Sequence, residues 1–410
     1  MKNPFRWRKP AQQVVPENKV PTAERKGVSG PTAPLAQIFA LSHAHWSKAD
    51  YRSLAQRGFM GNPVVHRCIR LIAQTASRCE YLVFHGREEQ ADHPLRELLR
   101  KPSSLQAGRA FIEALVGHLM LSGNGFIELS TIADEPRELH LLRPDRVDVR
   151  KDGHGWPVAF DVRQGESGAS LRHVIPDHGV SPILHIAQFH PLEDLGGFAP
   201  LQAAVKALDL HEAASNWNKA LLDNSARPSG ALVYGANSGN GQGANLTDEQ
   251  FDRLRRELED GYMGQARAGR PLLLEGGLDW KAMSHSPRDM DFLEMRNGAA
   301  RDIALAFGVP PMLLGIPGDN TFSNYREANR AFMQQTVIPL VQRIFDSIGA
   351  WLAPYYSDDL RLTLDEDKVP GTEVDRTALW KRVANADFLT DAEKRVTVGF
   401  SPEPEQEGSV

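Results

Sequence analysis

The sequence predicts an α+β fold on three observations. Long segments repeat apolar side chains at the three-and-four spacing of a helix, and short segments between them read as strands. Between residues 62 and 188 two helices and several strand-like segments together make up an α+β domain. With 410 residues, 41% hydrophobic and 24% charged, the chain can bury one large core or two to three smaller ones. No apolar run approaches the roughly 20 residues that cross a membrane. The N-terminus lacks a signal-peptide core, so synthesis in the cytoplasm and no membrane partner are expected.

The elements follow in order. Residues 1–35 hold several prolines, few large apolar side chains and a basic start of Lys2, Arg6, Arg8 and Lys9, and read as a flexible arm, either solvated or touching DNA or another protein. From Asn62 the pattern tightens. Asn62 is a cap, Pro63 opens a helix, and Val65, Cys68, Ile69, Ile72, Ala73, Ala76 and Cys79 form its apolar face. The two cysteines, three turns apart on that helix, are too distant to bridge and read as a reduced core pair. A strand is expected at 80–85, a helix around 108–122, and strands at 125–131, 138–150, 157–163 and 182–188. Pro200 opens a long helix presenting Leu201, Ala204, Val205, Leu208, Trp217 and Leu221, and ending before Pro228. Then come strand-like ALVYG, a glycine-rich tip at Gly239, Gly241 and Gly243, the capped helix LTDEQFDRLRREL and strands at 271–283.

The run at 287–330 is the most informative: two helices joined by an apolar connector rich in proline and glycine. The first carries Met290, Phe292, Leu293, Ile303, Ala304, Ala306 and Phe307, and must stop near Gly308 because Pro310 and Pro311 cannot donate backbone hydrogen bonds. The second begins near Ser323 or Asn324 and carries its apolar face from Tyr325 to Leu352, with Pro339 expected to kink or split it. LRLTLDED at 360–367 alternates as a strand. The end, TALWKRVANADFLTDAEKRVTVGF, reads as two short helices with Thr390 capping the second, and the acidic 401–410 as a disordered tail.

The connector, I-A-x-A-F-G-V-P-P-x-L-L-G followed by a long helix, resembles that of the portal proteins of HK97-type tailed phages. NPVVHRCIRLIAQTASRCEYLVF, HPLRELLRKP, FIEALVGHLMLSGNGFIEL and LLRPDRVDV upstream, and GFAPLQAAVKAL, RPSGALVYG and PLLLEGGLDWKAMSHSPRDMDFLEMR further on, occur in that family's order. The turn at Lys101 to Ser104 departs from the family's usual P-N-P. The resemblance implies an α+β wing (36–196 and, with the long kinked helix and its return strand, 324–370), a stem of two helices (197–226 and 287–307), a small α/β clip insertion (227–286), a tunnel loop (308–323) and a short helical crown (371–400). It further implies a homo-oligomeric ring of about twelve copies at one capsid vertex, in a phage, prophage or gene transfer agent particle. Partners implied are the terminase large subunit, a head-tail adaptor, the major capsid protein and double-stranded DNA passing without sequence readout.

Pro310, Pro311, Met312, Leu313, Leu314, Ile316, Asp319, Asn320 and Asn324 are then the residues expected at the channel. The apolar ones are odd choices for an exposed loop of a monomer; they pack either on the neighbouring loop of a ring or within their own subunit. Deleting 312–318 is expected to spare ring assembly and impair packaging. Arg288, Asp289, Asp291, Glu294, Arg296 and Arg301 are expected to make stem contacts between subunits. The net charge of −5 disfavours a tight DNA binder yet suits a conduit, since a wall gripping every phosphate would arrest the strand.

Catalytic signatures fail. His211 and Glu212 begin a zinc-helix pattern, but position 215 is Ser. The glycine cluster lacks the Lys and Ser or Thr of a phosphate loop, there is no G-x-S-x-G elbow, and His140, His173, His178, His185 and His190 lack ligand spacing. No cofactor, metal or enzyme is expected. The alternatives are a cellular scaffold or adaptor, which would be monomeric or dimeric, and an α+β enzyme with a deep polar pocket.

Overall fold

Asn62 and Pro63 begin the first long helix, α1 (Pro63–Ala76), as their chemistry dictates: the Asn62 carboxamide oxygen accepts from the backbone N–H groups of Val64 and Val65 at 3.0 and 3.2 Å. The computed structural model describes residues 50–86, 88–165, 168–176, 179–223, 230–234, 278–282, 292–318, 322–369 and 373–398, with 247, 249, 250, 252, 253 and 256. The expected N-terminal arm, the glycine-rich tip and the acidic tail lie outside these. Every apolar position named for α1 is buried. Cys79 falls just beyond the helix end, and both cysteines are free, their thiols pushed up by burial to about 12 for Cys68 and about 11 for Cys79.

Strands β1 (Tyr81–His85) and β2 (Glu88–Glu89), helices α2 (Pro94–Arg100) and α3 (Gly108–Ser122), and strands β3 (Asn124–Ile132), β4 (Glu135–Leu142), β5 (Val147–Lys151), β6 (Pro157–Gln164), β7 (Ala169–Val174) and β8 (Ile183–Ala187) follow. The expected strand at 138–150 is two strands in different sheets, because Pro144–Arg146 turns as a 3-10 helix between them. β7 was not anticipated. Its side chains are mostly exposed, so it shows no apolar alternation, and it is held by pairing with β6 and by Arg172 on Asp161 at 2.7 Å. Arg172 and Arg150 together hold that carboxyl down at about 2.

After β8 come α4 (Pro200–Ala203), a break at Ala204, α5 (Val205–Asp223), the antiparallel pair β9 (Gly230–Tyr234) and β10 (Leu278–Ala282), and α6 (Phe292–Ala306). The long helix is α7 (Phe322–Phe332), a π segment Met333–Val337, and α8 (Ile338–Tyr356). The interruption thus sits just before Pro339, which occupies the first turn of α8, where a missing N–H costs nothing. β11 (Leu360–Leu364), α9 (Glu373–Ala384) and α10 (Asp391–Thr397) complete the chain, with Thr390 and Glu393 forming a reciprocal capping box on α10.

The sheets run β11-β1-β2, β4-β3-β8, β5-β6-β7 and β10-β9. β11 returns to pair with β1 antiparallel, Tyr81 opposite Leu364. Leu360, Leu362 and Leu364 face the main core, which α1, α3 and α8 share, and Phe345 meets Tyr81 edge-on at 5.6 Å. A second core of Phe126, Val147, Phe160, Val162 and Ile183 lies between the β4-β3-β8 and β5-β6-β7 sheets.

Two histidines near these cores give a pH prediction. His185 stacks on Phe126 at 4.3 Å and meets Asn124 Oδ1 at 2.9 Å, while His118 meets the Tyr51 hydroxyl at 3.0 Å. Burial pulls both imidazoles down to about 4. A base depressed by folding contributes stability that is present above its ordinary pKa of about 6.5 and is lost as pH falls toward the folded value. The urea midpoint is therefore expected to fall between pH 6.5 and 4, and His185→Gln, which keeps a donor for Asn124, to reduce that fall. An equal fall in the variant would show that other groups drive it.

Candidate channel connector and ring-facing helices

The connector is built from backbone restrictions upward. α6 ends where Gly308 takes φ +65°, the left-handed region a side chain resists, and Pro310 and Pro311 forbid its continuation. Pro311–Leu314 then makes one 3-10 turn, closed by Gly315 at φ +74°. Two hydrogen bonds pin this fold-back: Thr336 Oγ1, from the π segment, donates to Gly308 O at 2.7 Å, and Arg301 Nη2, from α6, donates to Pro317 O at 2.5 Å.

Ile316 is buried against Ala300 and Ala304 of α6, and Leu313 and Leu314 pack on the main core. Met312, Pro310 and Pro311 are half-buried. For Leu313, Leu314 and Ile316 the structure therefore realises the within-subunit packing. Deleting 312–318 would strip an anchored segment from the subunit, so it no longer isolates a channel function. Asp319 and Asn320 lie outside the described residues, and Asn324 is exposed in the first turns of α7.

The stem candidates divide similarly. Arg288, Asp289 and Asp291 lie outside the described residues; Glu294 and Arg296 are exposed on α6; Arg301 is exposed but bonds its own connector. Trp217 and Leu293, read from periodicity as parts of apolar helix faces, are 47% and 68% exposed, as are Leu305 at 78% and Tyr325 at 50%.

What sequence reasoning missed is the anchor of α5. Arg57, on a π segment at Leu54–Met60, bonds Asp209 at 2.8 Å and also Glu212. Asn62 Nδ2 donates to Nδ1 of buried His211 at 3.0 Å while its oxygen caps α1. The aborted zinc pattern at His211 and Glu212 is thus a structural clamp between α5 and the start of α1. Only the helical spacing of Asp209 and Glu212 hinted at a shared cation.

Among the described residues no group of three His, Cys, Asp or Glu side chains is placed to hold a metal ion. A cleft of about 760 Å³ lies beside α2, lined by Tyr81, Arg96, Arg100, Lys101, Arg137 and Tyr356 among others. His93, Asp92 and Glu97 also line it, and the His93 ring meets Tyr356 edge-on at 4.9 Å. Among the described residues no helix is long and apolar enough to cross a membrane.

The structure thus combines a mixed helix-and-sheet fold, apolar side chains exposed on its long helices and a proline-glycine connector pinned by two hydrogen bonds. The chain belongs to the phage portal protein family, whose model matches residues 63–399. It is 45% identical to a chain solved in the neck of a native gene transfer agent particle computed with C12 symmetry, with TM-score 0.66, covering 90% of this chain and 98% of that one. It is 42% identical to an uncharacterized protein of Rickettsia bellii over 83% of this chain and 86% of that protein. The portal protein of Enterobacteria phage HK97 is 25% identical, over 83% of this chain and 79% of its own length.

Proposed function

We propose that the chain is one subunit of a twelve-copy ring that conducts double-stranded DNA through a single capsid vertex. The observation that carries this is the likeness, at 45% identity over 90% of the chain, to a component of a particle neck computed with C12 symmetry. In this reading α5 and α6 belong to the stem, the connector 308–323 to the tunnel, the pair β9 and β10 to the clip, the sheets before α4 together with α7, α8 and β11 to the wing, and α9 and α10 to a short crown.

The role is structural. The terminase large subunit drives DNA inward through the ring, a head-tail adaptor binds the clip afterwards, and the major capsid protein surrounds the wing. A net charge of −5 suits a passage that must not hold phosphates. Light scattering with negative-stain microscopy at several salt concentrations tests the assembly. Rings of about a dozen copies with a central hole are expected, since a closed ring is the heterologous solution that terminates. A stable dimer at all concentrations, with or without particle proteins, would refute the ring.

A further inference from the structure

The clamp between α5 and the start of α1 contains one hydrogen bond whose proton positions are fixed by a second interaction. The Asn62 side-chain oxygen accepts from Val64 N and Val65 N at 3.0 and 3.2 Å, so the group it turns toward His211 is its amide nitrogen, a donor. His211 Nδ1, 3.0 Å from that nitrogen, therefore carries the lone pair, and Nε2 the proton. Both residues are only 4% exposed, so little water reaches a partner left unmatched.

A proton added at Nδ1 turns the acceptor into a donor facing another donor. Neither side rearranges without loss. Turning the Asn62 carboxamide over would offer its oxygen to the ring but set its amide nitrogen against the two backbone N–H groups it caps. His211 itself stands on the buried side of α5, with Leu208 and Ala214 a turn before and after it. Among the described residues, the charges on the surrounding elements give the imidazolium no open partner. Arg57 of the π segment already takes Asp209 and Glu212 of α5, and the His66 ring of α1 is turned to Phe59 O. Burial, and then Arg296 of α6, hold the His211 imidazole below its ordinary value.

We propose that Asn62 and His211 form a proton-operated latch: with the ring neutral, α5 is fastened to the start of α1, and a proton on Nδ1 releases it while Arg57 still holds Asp209 and Glu212. The stability this bond contributes is present above about pH 6.5 and is lost as pH falls through the lower folded value. α5 then pivots on the Arg57 pair. In the ring reading this joint lies between wing and stem, but the latch is a property of one subunit and is measured on it.

Hydrogen exchange of the α5 amides 208–215, divided by that of α3 so that global acid unfolding cancels, tests the latch on the full chain. From about pH 7 to about pH 4.5 the ratio, corrected for intrinsic exchange, is expected to rise about tenfold in the wild type, the size of one lost hydrogen bond between buried groups. His211→Gln offers Asn62 an oxygen that does not titrate, and is expected to keep the ratio level. Asn62→Asp keeps an oxygen for the cap but faces His211 with an acceptor, so the bond then requires the protonated ring, and the ratio is expected to drop on acidification. A level ratio in the wild type, an equal rise in His211→Gln, or a rise in Asn62→Asp would each overturn the latch. Should Asn62→Asp fail to fold, the comparison of wild type with His211→Gln decides alone.

Discussion

Gly123→Ala is expected to destabilise the subunit by about 3 kcal/mol or more, combining the left-handed backbone penalty with overpacking against backbone atoms. Gly123 ends α3 at φ +73° and ψ 0°, and its N–H donates to Leu119 O. An added Cβ would stand 2.5 Å from Gly197 C and 2.6 Å from Phe198 N. Those atoms cannot yield cheaply. Asn124 Oδ1 accepts from Gly197 N at 2.8 Å, Gln202 Oε1 accepts from Ala199 N at 2.7 Å, and Gln188 N donates to Gly123 O at 2.8 Å. The segment 197–199 launches α4 and then α5, so relief of the clash would displace the start of both helices. Gly117, in the interior of α3 with open space within 4 Å of where an added methyl would sit, is the internal control. Gly117→Ala is expected to stabilise by about 0.5–1 kcal/mol, the ordinary helix preference for alanine. Urea denaturation of both variants checks the pair; a Gly123→Ala midpoint near that of the wild type would show that 197–199 is held less firmly than its hydrogen bonds imply.

The same residues show how far the sequence could be read. The start and buried face of α1 were legible because its cap, its first-turn proline and its apolar spacing are all local and all agree, while its end was not, since Cys79 falls beyond Ala76. β11 was legible as a strand from alternation; that β1 is its partner, and in which register, required the structure. β7 was not legible, since Ala169–Val174 exposes nearly every side chain and is held by pairing and by Arg172 on Asp161, which lie outside any one-dimensional pattern. The π segment at Met333–Val337 left no signal beyond Pro339 a few residues on. The connector's chemistry was visible in Gly308, Pro310 and Pro311, but the partner of its apolar residues was not, because hydrophobicity says that a side chain is covered and not by what. Leu293 shows the converse: periodicity marked it as an apolar helix position, and the structure leaves it 68% exposed.

That distinction decides how the connector should be tested. Ile316→Asp is expected to leave ring assembly nearly unchanged and to lower the yield of DNA-filled particles by about tenfold or more, on the reading that the tunnel requires a pinned connector. Ile316 shares a small cluster with Ala300 and Ala304, flanked by Val64 and Leu314, at the margin of the main core. An ionised carboxylate there, without a partner, costs several kcal/mol. Detaching the connector loses less: one isoleucine contact, the Arg301 bond to Pro317 O and the ordering of a few residues. The cheaper outcome is a lifted connector on a folded subunit, seen as faster proteolysis after residue 315 with an unchanged α1 to α3 core. Ile316→Val, which keeps the contact at a cost of about 1 kcal/mol, is expected to package normally. DNA-filled particles at wild-type yield from Ile316→Asp, with the proteolysis showing the connector released, would remove the connector from the path of the DNA while leaving the ring untouched.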